Sequence, residues 1–170
     1  DVQLMIVQPE RYVEAFHKAG ADILTVHYET CTHLHRTIQQ IKSQGMKAGV
    51  SLNPHTPVSL LEDVIEDIDV VLFETMTDIY ELKASILAVK ECSDLPIFAT
   101  MTFEQTINKV DKLKKLIMES NSHTLIEIDG GVNFETGKRL VNAGADALVA
   151  GSFVFNSPDP EANIKGLKEL

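Results

Sequence analysis

Short apolar runs alternate with longer amphipathic stretches along the whole chain. The short runs have the length and β-branched content of strands, and the longer stretches carry apolar residues at helical spacing. The predicted strands are Gln3–Val7, Ile23–Tyr28, Ala48–Leu52, Val70–Glu74, Ile97–Thr102, Thr124–Asp129 and Ala147–Ala150. The predicted helices are Glu10–Ala19, Thr32–Gln44, Val58–Asp67, Ile79–Cys92, Gln105–Ser120, Phe134–Ala143 and a tail from Pro160.

Alternation of strand and helix with short connections predicts a parallel sheet covered by helices, the α/β arrangement of a TIM-barrel-like fold. Two junctions share the pattern Ala-Gly-Ala-Asp, at Ala19–Asp22 and Ala143–Asp146. In each, the glycine is suited to a left-handed helix end before the next strand. No linker or low-complexity segment interrupts the pattern, so residues 1–170 are predicted to form one domain.

Polar side chains lie at the ends of several predicted strands. Thr25, His27 and Glu29 fall on one side of their strand, and Glu127 and Asp129 fall on one side of theirs. In a barrel these side chains converge near the carboxyl ends of the strands, where (β/α) barrels place their active sites. Whether His27 and Glu29 contact a substrate or fill the barrel interior stays open at this stage.

Two glycine-containing strand ends suggest an anion site. Gly130 and Gly131 follow one strand, and Gly151 and Ser152 follow the next. Glycine lets backbone N–H groups approach an anion closely, and the start of a following helix adds a favourable dipole. The sequence therefore predicts that these four residues bind the phosphate of a phosphorylated metabolite, although tight turns also need glycine for structural reasons.

Composition limits the partners that we expect. With 15 Lys plus Arg against 25 Asp plus Glu, the net charge is −10, which argues against broad binding of nucleic acid or anionic membranes. No run is long and apolar enough for a membrane helix. Cys31 and Cys92 lack metal-ligand spacing and are expected to be reduced thiols of a cytoplasmic protein. Because the chain begins at Asp1 without a Met, we expect a trimmed or assembled sequence.

Several motifs together resemble ribulose-phosphate 3-epimerase. They are Leu4–Val7 with Pro9–Tyr12, Ala19–Asp22 through Val26–Glu29, Lys47–Pro57, Leu125–Val132 and Ala150–Ser152. The resemblance covers about residues 1–72 and 106–170. It implies interconversion of ribulose 5-phosphate and xylulose 5-phosphate, in which one acid removes the proton at C3, another returns it to the opposite face, and a divalent metal stabilises the enediolate.

By this resemblance Asp129 is one catalytic acid/base and also a metal ligand, while Gly130, Gly131, Gly151 and Ser152 contact the phosphate. The cofactor implied is zinc, iron or manganese. Other family features have no counterpart: the first two strands with a substrate Ser and a His-x-Asp pair, the phosphate loop after the sixth strand, and a metal-binding His where this chain has Gln3. A glutamine amide is a poor ligand for a transition metal, so we expect no metal here.

The segment that stands in the place of that loop resembles a second family. Phe73–Asp78 through Leu95–Phe103, about residues 73–104, is similar to the homocysteine-binding barrel of cobalamin-dependent methionine synthase. Two families within one βαβ unit predict an engineered chimera with about seven βα units, fewer than a closed eight-stranded barrel needs. Because an unpaired strand edge is a template for association, we expect the sheet to stay incomplete or to be completed in a homo-oligomer.

Three hypotheses about function remain open. The first is a phosphosugar-binding barrel with little or no epimerase activity. In the second, the chain is an active, divergent and metal-dependent pentose-phosphate 3-epimerase, in which Asp129 works with a second base such as Glu74. The third is a structural, oligomerising scaffold.

Overall fold

A computed structural model describes residues 1–76 and 101–170. The strands are β1 Val2–Leu4, β2 Ile23–His27, β3 Lys47–Ser51, β4 Val70–Met76, β5 Met101–Thr102, β6 Leu125–Asp129 and β7 Ala147–Val149. The α-helices are α1 Val13–Lys18, α2 Leu34–Ser43, α3 Phe103–Glu119, α4 Phe134–Ala143, α5 Ser152–Phe155 and α6 Pro160–Lys168. Short 3₁₀ helices cover Pro9–Arg11, Tyr28–Thr30, Val58–Leu61 and Ile65–Asp67.

All strand pairs that the structure describes are parallel, in the order β1-β2-β3-β4-β6-β7, with β5 beside the end of β4. This curled sheet with covering helices is a TIM-barrel-like α/β fold, as the alternation of elements predicted. Within the described ranges β1 pairs only with β2, and β7 only with β6, so both are edges of the sheet. None of the described helices is long and apolar enough to cross a membrane.

The main core lies between the sheet and its helices. Val26, Val50, Val71 and Ile126 form one continuous row across four strands, and each is fully buried. Helices α2 and α3 cover this face with buried apolar side chains, among them Ile38 of α2. Burial of such a branched aliphatic side chain contributes about 1.5–3 kcal/mol, so this layer fixes the register that positions the opposite face.

The two Ala-Gly-Ala-Asp junctions adopt the predicted conformation. Gly20 has φ 93° and Gly144 has φ 113°, the left-handed region that favours glycine. Gly144 is the residue that ends α4. The shared sequence pattern therefore does mark two helix-to-strand turns.

The helix predicted over Val58–Asp67 is instead two 3₁₀ helices, because the backbone leaves the helical region at Val64 (φ −129°, ψ 0°). Hydroxyls from the loop before β6 hold the end of this segment. The Thr124 hydroxyl donates to the carbonyl oxygens of Ile65 and Ile68, at 2.9 and 2.8 Å. The predicted helix Ile79–Cys92 and most of the predicted strand Ile97–Thr102 lie outside the described residues.

Candidate active site

The strand register places the polar residues on one face of the sheet, opposite the helix-covered core. We call it the inner face. Parallel partners lie side by side and point to the same face, and alternate residues along a strand return to it. The inner face carries Gln3, Thr25, His27, Ser51, Leu72, Glu74, Glu127 and Asp129. Residues near the carboxyl ends of the strands thus share one edge of this face, the mouth of the barrel.

Gln3, His27, Glu29 and Glu74 form a hydrogen-bonded group at the mouth, which we call the mouth cluster. The Gln3 amide Nε2 donates to Glu74 Oε1 and lies 3.2 Å from His27 Nε2. His27 Nε2 is 3.4 Å from Glu74 Oε1, and His27 Nδ1 is 3.7 Å from Glu29 Oε2. The His27 side chain is only 2% exposed. The cluster therefore joins β1, β2 and β4 and places His27 between two carboxylates.

A glycine in β3 makes room for a polar side chain of β2 on the inner face. Gly49 is the register partner of Thr25, and a Cβ atom at Gly49 would lie 2.1 Å from Thr25 Oγ1. The absence of a side chain there leaves room for the Thr25 side chain over β3.

The mouth cluster continues into the loop after β3. Glu29 accepts the Asn53 backbone N–H at 2.9 Å and the Thr56 hydroxyl. From the other side, Lys109 Nζ in α3 donates to the carbonyl oxygens of Asn53, at 2.9 Å, and Thr56, at 2.5 Å. Donors and acceptors of this loop are both satisfied, so it is held as a fixed wall of the mouth.

The charges of the cluster support each other. Burial lowers the pKa of His27, but hydrogen bonds and charges of Glu29 and Glu74 outweigh burial and raise it. Burial raises the pKa of Glu29, yet donors from His27, Thr56 and Asn53 bring it down to about 2. Burial lowers the pKa of Lys109 to about 8, against the opposing charge of Glu29. The two carboxylates thus favour the protonated form of His27, and His27 in turn favours the ionised form of Glu29.

Asp129 ends β6 directly beside Glu74, its register partner in β4. Burial and the charge of Glu74 raise the pKa of Asp129. The pKa of Glu127 is also raised, by burial and by the charge of Asp129. A carboxyl group with a raised pKa, next to a second carboxylate held by protein donors, suits proton transfer to and from a bound substrate.

The predicted phosphate residues lie at neighbouring strand ends. Asp129 and Val149 are register partners, so the turn at Gly130 and Gly131 and the residues Gly151 and Ser152 emerge side by side. Gly130 and Gly131 have φ 95° and 65°. Gly151 precedes α5 without a side-chain cap, so the backbone N–H groups there are not taken by a capping side chain. The arrangement brings the four residues together, and phosphate binding stays a prediction.

A divalent metal does not fit the groups at the mouth. The Gln3 amide presents a donor N–H to Glu74, and a donor has no lone pair to offer a cation. Among residues 1–76 and 101–170, no group of three or more His, Cys, Asp or Glu side chains is arranged to hold a metal ion. The family resemblance implies several metal ligands, and of these the described part of the mouth contains Asp129 alone. No step of the reaction is therefore assigned to a metal.

Sequence reasoning found some of these residues and missed others. His27, Glu29, Glu74 and Asp129 were visible as polar residues at strand ends. The role of Lys109 was not visible, because a lysine in an amphipathic helix gives no signal of a carbonyl partner in a distant loop. Gln3 was noted only for the histidine that it replaces, and its donation to Glu74 depends on the curvature of the sheet.

We predict that the free energy of unfolding is highest between about pH 4.5 and 6.5, the unperturbed values of Glu and His. The pKa of His27 is raised by folding, so its contribution is complete below 6.5 and is lost as the pH rises through the folded value. The pKa of Glu29 is lowered to about 2, so its contribution is complete above 4.5 and is lost as the pH falls toward 2.

Urea denaturation from pH 3 to 9 measures this dependence. In His27→Gln, the fall in the free energy of unfolding above pH 6.5 should become smaller. In Glu29→Gln, the fall in the free energy of unfolding below pH 4.5 should become smaller. Lys18 and Glu14 form an exposed pair on α1, and Glu14→Gln is the matched control that leaves both limbs unchanged. A His27→Gln profile parallel to that of the parent chain would contradict the assignment.

A family profile and individual relatives match this chain and point to one protein family. Residues 1–78 and 93–155 match the profile described as the Ribulose-phosphate 3 epimerase family. The chain is 45% identical over 170 residues to ribulose-phosphate 3-epimerase of Bacillus subtilis, covering 99% of this chain and 70% of that protein. It is 44% identical over 171 residues to the chloroplast ribulose-5-phosphate-3-epimerase of Arabidopsis thaliana, covering 99% and 54%. The chain thus spans between 54% and 70% of the length of these two relatives.

Solved structures agree on the fold. A 3-hexulose-6-phosphate synthase aligns with a TM-score of 0.63 at 20% identity, covering 97% of this chain and 69% of that one. A 3-keto-L-gulonate-6-phosphate decarboxylase from Vibrio cholerae aligns with a TM-score of 0.66 at 13% identity, covering 98% and 69%. At such low identity these likenesses show the fold alone. The family profile overlaps residues 73–78 and 93–104, and a separate origin of the segment 73–104 stays a prediction.

Proposed function

Because the chain belongs to the ribulose-phosphate 3-epimerase family, we propose that it binds a phosphorylated ketopentose at the mouth and that Asp129 exchanges the proton at C3. The observation that carries this proposal is the continuity of Asp129 with the Gly130–Gly131 turn, beside Gly151 on the next strand end. In a pentose 5-phosphate only a few bonds separate C3 from the phosphate. A base and anion donors on adjacent residues match that separation.

Each group has a defined part in the proposed reaction. Backbone N–H groups at Gly131, Gly151 and Ser152 bind the phosphate. The Asp129 carboxylate takes the proton from C3, and the same carboxyl group returns it. Glu74, held by Gln3 and His27, stays beside Asp129 as a fixed charge that favours protonation of Asp129. The loop from Asn53 to Thr56 closes one side of the mouth.

We propose that proton exchange is faster than net epimerisation. Inversion at C3 needs an acid on the face of the substrate opposite to Asp129. Glu74 and Asp129 are register partners on neighbouring strands, so both approach from the same side of the mouth. Exchange of the C3 proton with solvent deuterium, followed by NMR of ribulose 5-phosphate, tests the exchange. A coupled assay of xylulose 5-phosphate measures the inversion.

One observation favours an active epimerase as a second candidate. Glu74 is the nearest second carboxyl group to Asp129 along the strand register, so it is the residue that would return the proton in an active epimerase. Formation of xylulose 5-phosphate at the rate of deuterium exchange would select this candidate. Exchange without xylulose 5-phosphate would select the first.

A homo-oligomer and a cytoplasmic location stay proposals. Among the described strands, β1 and β7 have one partner each, and these open edges support association. Exposed apolar residues after β1 and in β7 add to this support: Val7 is 55% exposed and Val149 is 38% exposed. Light scattering measures the oligomeric state. A chimeric, engineered origin of the segment 73–104 is likewise a proposal, supported by its resemblance to a second barrel family.

Inorganic phosphate is expected to shift the backbone amide resonances of Gly130, Gly131, Gly151 and Ser152 in a saturable titration. Gly151 has a negative φ (−86°, with ψ −85°), outside the left-handed region that excludes side chains, and a Cβ atom there has no neighbour within 4 Å. Gly151→Ala should therefore leave the free energy of unfolding within about 1 kcal/mol of the parent chain. We expect it to weaken phosphate binding several-fold, because its methyl group occupies the space that the anion enters.

The matched control is Gly45→Ala, at a turn remote from the mouth. A Cβ atom there also has no neighbour within 4 Å, and φ is 83°. Because an L side chain is strained at this angle, Gly45→Ala should lower the free energy of unfolding but leave the affinity for phosphate unchanged. Two outcomes would contradict the phosphate site: phosphate-induced amide shifts that are the same in Gly151→Ala as in the parent chain, or no such shift at any of the four residues. The proton-exchange assay would then test Asp129 independently.

A further inference from the structure

The mouth cluster occupies the position where the inner-face carboxylates converge. Glu74 receives the Gln3 amide N–H and lies against His27 Nε2, so its Oε1 atom already has two nitrogen neighbours. His27 in turn lies against Glu29 through Nδ1. Both ring nitrogens of His27 thus face carboxylate oxygens, and the side chain is 2% exposed.

This arrangement has the pattern of a hydrogen-bonded cluster and not that of a cation site. A divalent ion needs lone pairs from three or more ligands, whereas the NH₂ end of the Gln3 amide presents hydrogens to Glu74 and lies against His27 Nε2. Turning the Gln3 amide by 180° would offer its oxygen, but it would break the hydrogen bond to Glu74 and set two oxygen atoms against each other. The protein hydrogens therefore fill the space beside Glu74 that a metal would fill.

We propose that Gln3 and His27 take the place of a divalent metal at this mouth: they contact Glu74 Oε1 from β1 and β2, and the chain binds no stoichiometric cation there. The inference holds whether or not the chain turns over a sugar phosphate, because it concerns the resting contacts of Glu74. Among the residues that the structure describes, Gln3, Glu29 and Glu74 face His27.

Gln3 is the residue that decides this property. Its amide is the donor that contacts Glu74 from β1. Replacing the amide by an imidazole would remove that donor and add a lone pair next to Glu74, with Asp129 as the register partner of Glu74. One substitution would therefore convert the hydrogen-bonded cluster into a three-ligand arrangement, which is the number that catalytic zinc sites use.

Titration calorimetry with ZnCl₂ and MnCl₂ near pH 7 tests the proposal. The parent chain should show no one-to-one binding tighter than about 1 mM. Gln3→His should bind at least about tenfold more tightly, and the added affinity should be lost in Gln3→His combined with Asp129→Asn. Gln44→His adds the same imidazole at the end of α2, away from the mouth, and should not change the affinity.

Micromolar one-to-one binding by the parent chain that His27→Gln or Asp129→Asn abolishes would overturn the proposal. No gain in Gln3→His would overturn the role of Gln3. If Gln3→His does not fold, a Mn²⁺ titration of the parent chain, followed by NMR, still tests whether a cation binds at the mouth. Unbroadened amide signals at Glu74 and Asp129 support the proposal, and selective broadening there overturns it.

Discussion

Asp129→Asn is expected to slow deuterium exchange at C3 of ribulose 5-phosphate by at least about a hundredfold, the usual range for loss of a general acid/base. The change keeps the size and shape of the side chain but removes the proton acceptor. Asp129 lies at the end of β6, and burial and the charge of Glu74 raise its pKa. Asparagine removes one of two adjacent negative charges, so the substitution should not destabilise the fold.

Glu127→Gln is the matched control for this prediction. Glu127 lies two residues earlier on the same face of β6, and its pKa is also raised. It is the register partner of Leu72, deeper in the barrel than the mouth cluster. We expect exchange to fall less than threefold in Glu127→Gln, with phosphate affinity unchanged in both variants. Equal losses in the two variants would show that Asp129 is not the specific base.

The sequence was most informative where local chemistry determines the structure. Helix α4 has the predicted bounds, because Asn133 caps its first turn by accepting the N–H groups of Glu135 and Thr136, and Gly144 ends it. The predicted continuous helix after β3 was wrong, since the backbone leaves the helical region at Val64. The end of the segment is held by the hydroxyls of Ser122 and Thr124, more than fifty residues away in sequence. No pattern within the segment itself reports such partners.

In the candidate site, too, local patterns were predictable from the sequence and contacts between distant residues were not. Alternation along β2 and β6 predicted that His27 and Asp129 share the inner face, since a strand places every second residue on one side. The contacts between Gln3, His27 and Glu74 were not predictable, because they cross β3 and depend on the curvature of the sheet. Sequence therefore identified the polar face, and only the structure showed which groups contact each other.

Gly130→Ala is expected to be the most destabilising single methyl addition at the mouth, lowering the free energy of unfolding by about 3 kcal/mol or more. Two separate costs add at this position. The backbone has φ 95°, where an L side chain costs about 1–2 kcal/mol. A Cβ atom would also lie 2.3 Å from the Thr75 carbonyl oxygen, a backbone atom at the end of β4 that cannot turn away.

Gly20→Ala separates the two costs. Gly20 has nearly the same backbone angle, φ 93°, but a Cβ atom there meets nothing within 4 Å. It should cost only about 1 kcal/mol, from the backbone angle alone. Urea denaturation of both variants gives the difference, which measures how closely the end of β4 packs on the Asp129–Gly130 turn. Equal destabilisation would contradict this packing. A larger loss in Gly130→Ala, with phosphate binding weakened in the molecules that remain folded, would show that the extension of β4 beyond Glu74 supports the turn that holds both the base and the anion donors.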